Sequence, residues 1–205
     1  MTRIGVASLL TLSLVVSFVS CADESELSAE TERLAREEGA AATHALMGML
    51  QANLVAAMQE GGPVHAVEFC AGQALALTDS VARGLGEGIT LKRVSNRHRN
   101  PVNAPDAEEV KALRHFETVL EESGSLPKDW VQQTPSGELR YYRPLVIAPP
   151  CLACHGDPAE MDTAVVDAIR QKYPEDEATG YTAGDLRGLI RVGISRDRID
   201  LDSSG

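Results

Sequence analysis

Glu138-Leu139-Arg140-Tyr141-Tyr142-Arg143-Pro144-Leu145-Val146-Ile147-Ala148 leads without interruption into Pro149-Pro150-Cys151-Leu152-Ala153-Cys154-His155, and Gly156-Asp157-Pro158 follows. The first stretch is rich in aromatic and β-branched residues and predicts a strand. It delivers the chain to two thiols three residues apart with an imidazole beside the second. The prolines before and the Gly-Asp-Pro after read as a loop around that motif.

Working outward, Thr134-Pro135-Ser136-Gly137 predicts a turn that pairs this strand with another at Asp129 to Gln133. Upstream lie a strand at Ile89 to Ser95, a rigid loop Asn100-Pro101-Val102-Asn103-Ala104-Pro105, and a helix from Asp106 with Val110, Leu113, Phe116 and Leu120 on one face. Residues 25–60 hold no proline and place Leu27, Leu34, Ala41, Leu46, Leu50, Leu54 and Ala57 at near-helical spacing, a long helix. Gly61-Gly62-Pro63 breaks it, and Pro63 opens a second helix to about Arg83. On that helix Val67, Cys70, Ala74, Leu77 and Val81 form one apolar stripe, so Cys70 is expected to face the interior. Downstream come a short helix from Asp162 to Lys172, a strand from Leu186 to Ile194 and a polar tail. Helices first and hairpin-spaced strands after them define the α+β class.

The chain has 205 residues, 43% hydrophobic and 24% charged, enough for one core. Its first twenty residues carry Arg3 as the only charge, followed by an apolar run from Ile4 to Val19, a signal peptide over 1–20. The run is short for a membrane span, which wants about 20 apolar residues. Phe18-Val19-Ser20-Cys21 resembles a lipobox, while Ser20-Cys21-Ala22 also suits ordinary signal peptidase. The lipoprotein reading is favoured: lipidated Cys21 anchors the domain 21–198 to a membrane in the periplasm or otherwise outside the cytoplasm, and 199–205 is the tail. Removing 1–20 leaves 18 basic against 30 acidic residues, a formal charge of −12, which argues against nucleic acid as a partner.

Four cysteines in an exported chain suggest two disulfides first. The spacing of Cys151, Cys154 and His155 favours another reading, because each thiol can add to one haem vinyl group while the adjacent imidazole binds the iron. A structural zinc needs a second ligand pair at comparable spacing, and Cys21, Cys70, His44, His65, His98 and His115 supply none. A redox dithiol wants the motif at the start of a helix, against the looped surroundings here. One covalent haem c is therefore expected, held by Cys151, Cys154 and proximal His155.

The ligand opposite His155 stays open on the residues alone. Met47, Met49, Met58 and Met161 are candidates that read equally as core filler. His44, His65, His98 and His115 have surface or loop alternatives. Cys70 reads either as a ligand or as a small buried hydrophobe. Arg97, Arg99 and Arg143 are candidates for the haem propionates, or ordinary solvated cations. Tyr141 and Tyr142 must point to opposite faces, so at most one meets the haem.

The loop Arg93 to Asp106, the segment Tyr141-Tyr142-Arg143-Pro144-Leu145, Cys151 to Gly156, Tyr173 to Tyr181 and Gly184-Asp185-Leu186-Arg187-Gly188, in this order, resemble the Tll-like haem-binding domain family over about residues 40–195. The resemblance implies a PAS-like fold, a five-stranded antiparallel sheet flanked by helices, with one c-type haem. It also implies a thiolate as second axial ligand, at Cys70. Such a ligand lowers the potential and weakens on reduction, so a redox-gated ligand switch that admits CO or NO is expected. The function expected is a redox- or gas-responsive sensor or binding module, which needs a signalling protein partner because no transmitter segment follows. A periplasmic electron-transfer cytochrome with a redox partner is the alternative. No residue constellation argues for an enzyme.

Overall fold

The computed structural model describes residues 27–202; the signal peptide and Cys21 lie outside this range. Helix α1 (Ala29–Gly84) starts at Ser28, whose side chain accepts from the Thr31 N–H. It is broken where expected, with non-helical backbone at Gly61 and Gly62. Gly62 has φ +72, a left-handed conformation that favours glycine, and Pro63 then begins the second arm.

Strands β1 (Ile89–Val94), β2 (Trp130–Gln133), β3 (Leu139–Val146) and β4 (Leu186–Ile194) form one antiparallel sheet in the order β1-β4-β3-β2. The sheet is four-stranded among the described residues, one strand fewer than the resemblance implied. Alternation sorts its side chains to two faces. Ile89, Leu139, Tyr141, Ile190, Val192 and Ile194 pack with Ala35, Ala42 and Leu46 of α1. Tyr142, Val94 and Leu189 pack on the other face with Ala112, Leu113 and Phe116 of α2 (Ala107–Ser123). The result is a helix, sheet, helix layering, the α+β architecture expected, with the two tyrosines on opposite faces.

The stripe of α1 is shifted from the one read in the sequence: Ala35, Gly39, Ala42, Thr43 and Leu46 are buried, whereas Ala41 and Leu54 are exposed. Small residues win because the helix lies close on the sheet. A Cβ added at Gly39 meets the Tyr141 ring carbons within 2.1–2.6 Å. Gly39→Ala is therefore expected to lower unfolding free energy by about 1–3 kcal/mol through overpacking, read by a urea melt at constant m value.

Helix α2 carries a full capping box: Asp106 accepts from the Glu109 N–H at 2.8 Å, and the Glu109 carboxylate accepts from the Asp106 N–H at 2.8 Å. Glu109 is fully buried and also takes Lys92 of β1 at 2.7 Å and Arg191 of β4 at 3.2 Å, which ties the helix to the sheet. Burial works to raise the Asp106 pKa, but the Glu109 N–H and the Arg140 guanidinium outweigh it and hold the carboxyl below its usual range. A depressed carboxyl stabilises the fold above its unfolded pKa, near 4, and loses that contribution as pH falls below it. Asp106→Asn, which keeps a capping oxygen but removes the charge, is expected to flatten the acid limb of a stability-versus-pH curve below about pH 4.

Two loop expectations are corrected. Pro149–Cys151 is a 3-10 turn and Leu152–His155 one α-helical turn, α3, because the paired prolines preset the φ of a turn's start. Arg196–Asp202 forms α5 rather than polar tail: Ile199 is 3% exposed and joins the α1 face of the core. Helix α4 (Thr163–Lys172) stands where expected. Among the described residues no helix is long and apolar enough to cross a membrane.

Candidate functional site

Strand β3 ends against the turn that carries Cys151, Cys154 and His155, and the site is assembled around that turn. The His155 Nδ1 lies 2.7 Å from the Ala178 carbonyl, which only accepts. Nδ1 must therefore carry the proton, and Nε2 keeps a free lone pair, the usual arrangement of a metal-ligating histidine. Burial, then the Arg99 and Arg187 guanidinium groups, push the His155 pKa down to about 3, so the imidazole is neutral at ordinary pH.

Segment 176–181 straps this histidine. Gly180 N–H donates to the Gly156 carbonyl at 2.7 Å and Tyr181 N–H to the His155 carbonyl at 2.9 Å. The Tyr181 ring meets the imidazole edge-on at 6.4 Å. Arg99 locks the strap to the turn: it pairs with Asp176 at 2.8 Å and donates to the Cys154 carbonyl at 2.6 Å and the Ala178 carbonyl at 3.3 Å. Arg97 donates to the Glu177 and Thr179 carbonyls and stacks on the Tyr181 ring at 4.1 Å. The donors of Arg97 and Arg99 are thus engaged with backbone and Asp176, while Arg143 stands half-buried on β3.

The second arm of α1 closes the site. Val67 packs with Val165 and Ile169 of α4, and Cys154, Met161 and Tyr173 pack against that cluster. Cys70, one turn beyond Val67, is half-buried and unpaired, as are Cys151 and Cys154. Burial pushes the Cys70 thiol up, and the Arg93 and Arg99 guanidinium groups pull against it. Cys154 is likewise raised, by burial first, with Arg99 opposing and Cys70 and Cys151 adding to the rise. That direction is opposite to the depressed thiol of a redox-active dithiol. Among the described residues no group of three or more His, Cys, Asp or Glu side chains is disposed to hold a metal ion, whereas a structural zinc takes four such ligands.

The rival ligands separate by place. Met47 packs in the sheet core, and Met49 and Met58 are exposed on the first arm of α1. His44 is exposed, His65 sits 3.5 Å from Glu60, and His115 stacks on Trp130 at 4.5 Å on the α2 side. Met161 lies in the cluster that holds Cys154, and His98 lines a cavity with His155. Cys154 thus has Cys70 and Cys151 near enough for their charges to act on it and Met161 in its cluster, while His98 shares a cavity with His155.

Sequence reasoning missed Arg93 and Arg187, which also line the cavity beside His155. The alternation Ile89, Leu91, Arg93 already puts Arg93 on the α1 face of its strand. That signal was available from the strand alone.

These features define a class of protein: an α+β domain in which a Cys-X-X-Cys-His turn at the end of a sheet strand is set against an unpaired cysteine on a broken helix. The chain belongs to the Tll0287-like family, whose profile matches residues 24–195. It is similar to the crystal structure of the cyanobacterial haem protein Tll0287, at 30% identity over 62% of this chain and 71% of that one, with a TM-score of 0.51. Among curated proteins none matches.

Proposed function

We propose that this chain is an exported, one-haem c-type cytochrome that serves as a redox- or gas-responsive binding module. The observation that carries the reading is the turn that sets unpaired Cys151 and Cys154 beside a neutral His155 whose Nδ1 is held by Ala178, with unpaired Cys70 near enough to Cys154 for its charge to act there. Cys151 and Cys154 would hold the haem covalently, and His155 and Cys70 would be the side chains that ligate its iron. The similarity to a protein described as a haem protein supports the same cofactor here.

The residues fit such a group. The thiols are not consumed by each other, the histidine has the tautomer a ligand needs, and the cavity beside it is walled by cations suited to carboxylates. Bound haem supplies one-electron redox chemistry and a coordination site for small gases. The chain's own part is to fix the imidazole through Ala178, to seal the turn with the 176–181 strap, and to present Cys70 from a helix arm hinged at Gly61-Gly62. Export follows from the leader and from the site of covalent haem attachment outside the cytoplasm, with Cys21 as the lipid anchor.

The test is to express the full chain with a cytochrome c maturation system and measure haem by alkaline pyridine absorbance and intact mass. One haem per chain that survives denaturation is expected. Haem-free protein, or haem lost on denaturation, contradicts the reading.

A further inference from the structure

Three buried side-chain nitrogen or oxygen atoms among the described residues have no hydrogen-bond partner: Thr43 Oγ1, Arg93 Nε and His98 Nδ1. Two of the three, Arg93 and His98, line one cavity of about 170 Å³ that His155, Leu145 and Arg187 also line. An unpartnered buried donor costs about 1–3 kcal/mol, more where it is charged, so two in one place call for a shared acceptor.

The protein does not supply that acceptor. The His98 imidazole is 3.6 Å from the Glu177 carboxylate, beyond hydrogen-bond reach. Arg93 forms no ion pair with a carboxylate among the described residues, although the sequence holds 30 acidic residues against 19 basic. Arg99 and Arg191 do find carboxylates, Asp176 and Glu109. Arg93 is held off them by its strand: Lys92 and Val94 turn toward α2, where Glu109 lies, and Arg93 turns toward α1. There it stands across the sheet from Ile190, and Arg143 flanks Ile190 on the other side. Arg93 and Arg187 thus stand at the cavity beside His155 with no carboxylate among its lining residues, and Glu177 lies 3.6 Å from His98.

We propose that Arg93 and His98 are the anchoring donors for the haem propionates, binding residues additional to the thiols and the axial ligands. The inference rests on the haem reading above. A propionate is a carboxylate of the group that Cys151, Cys154 and His155 would hold, and His155 lines this cavity; it would accept from the orphaned Arg93 N–H and from His98 with its proton on Nδ1. Arg97 and Arg99, whose donors are already spent on the 176–181 strap, position the turn instead.

The experiment compares wild type, Arg93→Met, Arg93→Lys and His98→Phe, each matured with covalent haem. Resonance Raman spectra of the propionate bending modes report hydrogen bonding at the carboxylates, and ferric electron paramagnetic resonance reports the axial ligands. Arg93→Met and His98→Phe are expected to shift the propionate modes and leave the ferric g values as in wild type. Arg93→Met is further expected to lower the reduction potential, since the lost cation no longer offsets propionate charge, and Arg93→Lys to restore most of it. Propionate modes unchanged in both Arg93→Met and His98→Phe overturn the inference while leaving the haem reading intact. A changed set of g values in His98→Phe overturns it too, by making His98 an axial ligand. Wild type without covalent haem overturns the reading beneath it as well.

Discussion

Replacing Cys151 and Cys154 together with serine is expected to abolish haem that survives denaturation, seen as complete loss of haem stain on a denaturing gel. Each single replacement should leave one thioether and shift the reduced α-band to longer wavelength, because one vinyl group stays conjugated to the porphyrin. The fold should change little. Both cysteines are only partly buried, Cys151 against the small Ile147, Ala178 and Tyr181 cluster and Cys154 against the Val67 cluster, so a hydroxyl in place of either thiol remains near solvent. A double variant that keeps denaturation-resistant haem would mean that attachment runs through other residues.

The second large effect is expected at Cys70. A coordinated thiolate carries full negative charge onto iron and favours the ferric state, so its removal should raise the reduction potential. Axial ligand choice spans about 0.8 V among haem proteins, and a rise on the order of 0.1 V or more is expected for Cys70→Ala in a voltammetric titration. The same variant should bind CO in the ferrous form faster than wild type, since no protein ligand has to leave. Burial alone disfavours the Cys70 thiolate, and the Arg93 and Arg99 guanidinium groups partly offset that. A Cys70 thiolate would therefore depend on coordination for its stability. A Cys70→Ala protein with an unchanged potential would show that the thiol is one more buried side chain of the α1 stripe.

Much of this was legible before any coordinates. The break at Gly61-Gly62-Pro63, the four strands and the helix at Asp106 follow from periodicity and from glycine and proline chemistry, which act within a few residues. At Cys151 the flanking prolines signal irregular chain, yet Pro149 and Pro150 also preset helical φ, and the structure uses them so. Helix α5 is hard to read because Ile199 and Leu201 are its only apolar residues among alternating charges; the distant core contact shows that Ile199 is buried. The site divides in the same way. The thiols and the histidine announce themselves by spacing, whereas the tautomer of His155 depends on Ala178, twenty-three residues away. The roles of Arg97 and Arg99 depend on which carbonyls the 176–181 strap offers them, and no local pattern encodes that.

The ligand set of the ferric iron tests the central claim most directly. Wild-type protein at neutral pH is expected to give a rhombic low-spin electron paramagnetic resonance signal of the narrow-spread thiolate type, and Cys70→Ala to lose it for a high-spin or differently ligated signal. Identical low-spin signals in the two proteins would contradict the account, and would return the choice of ligand to Met161 or His98.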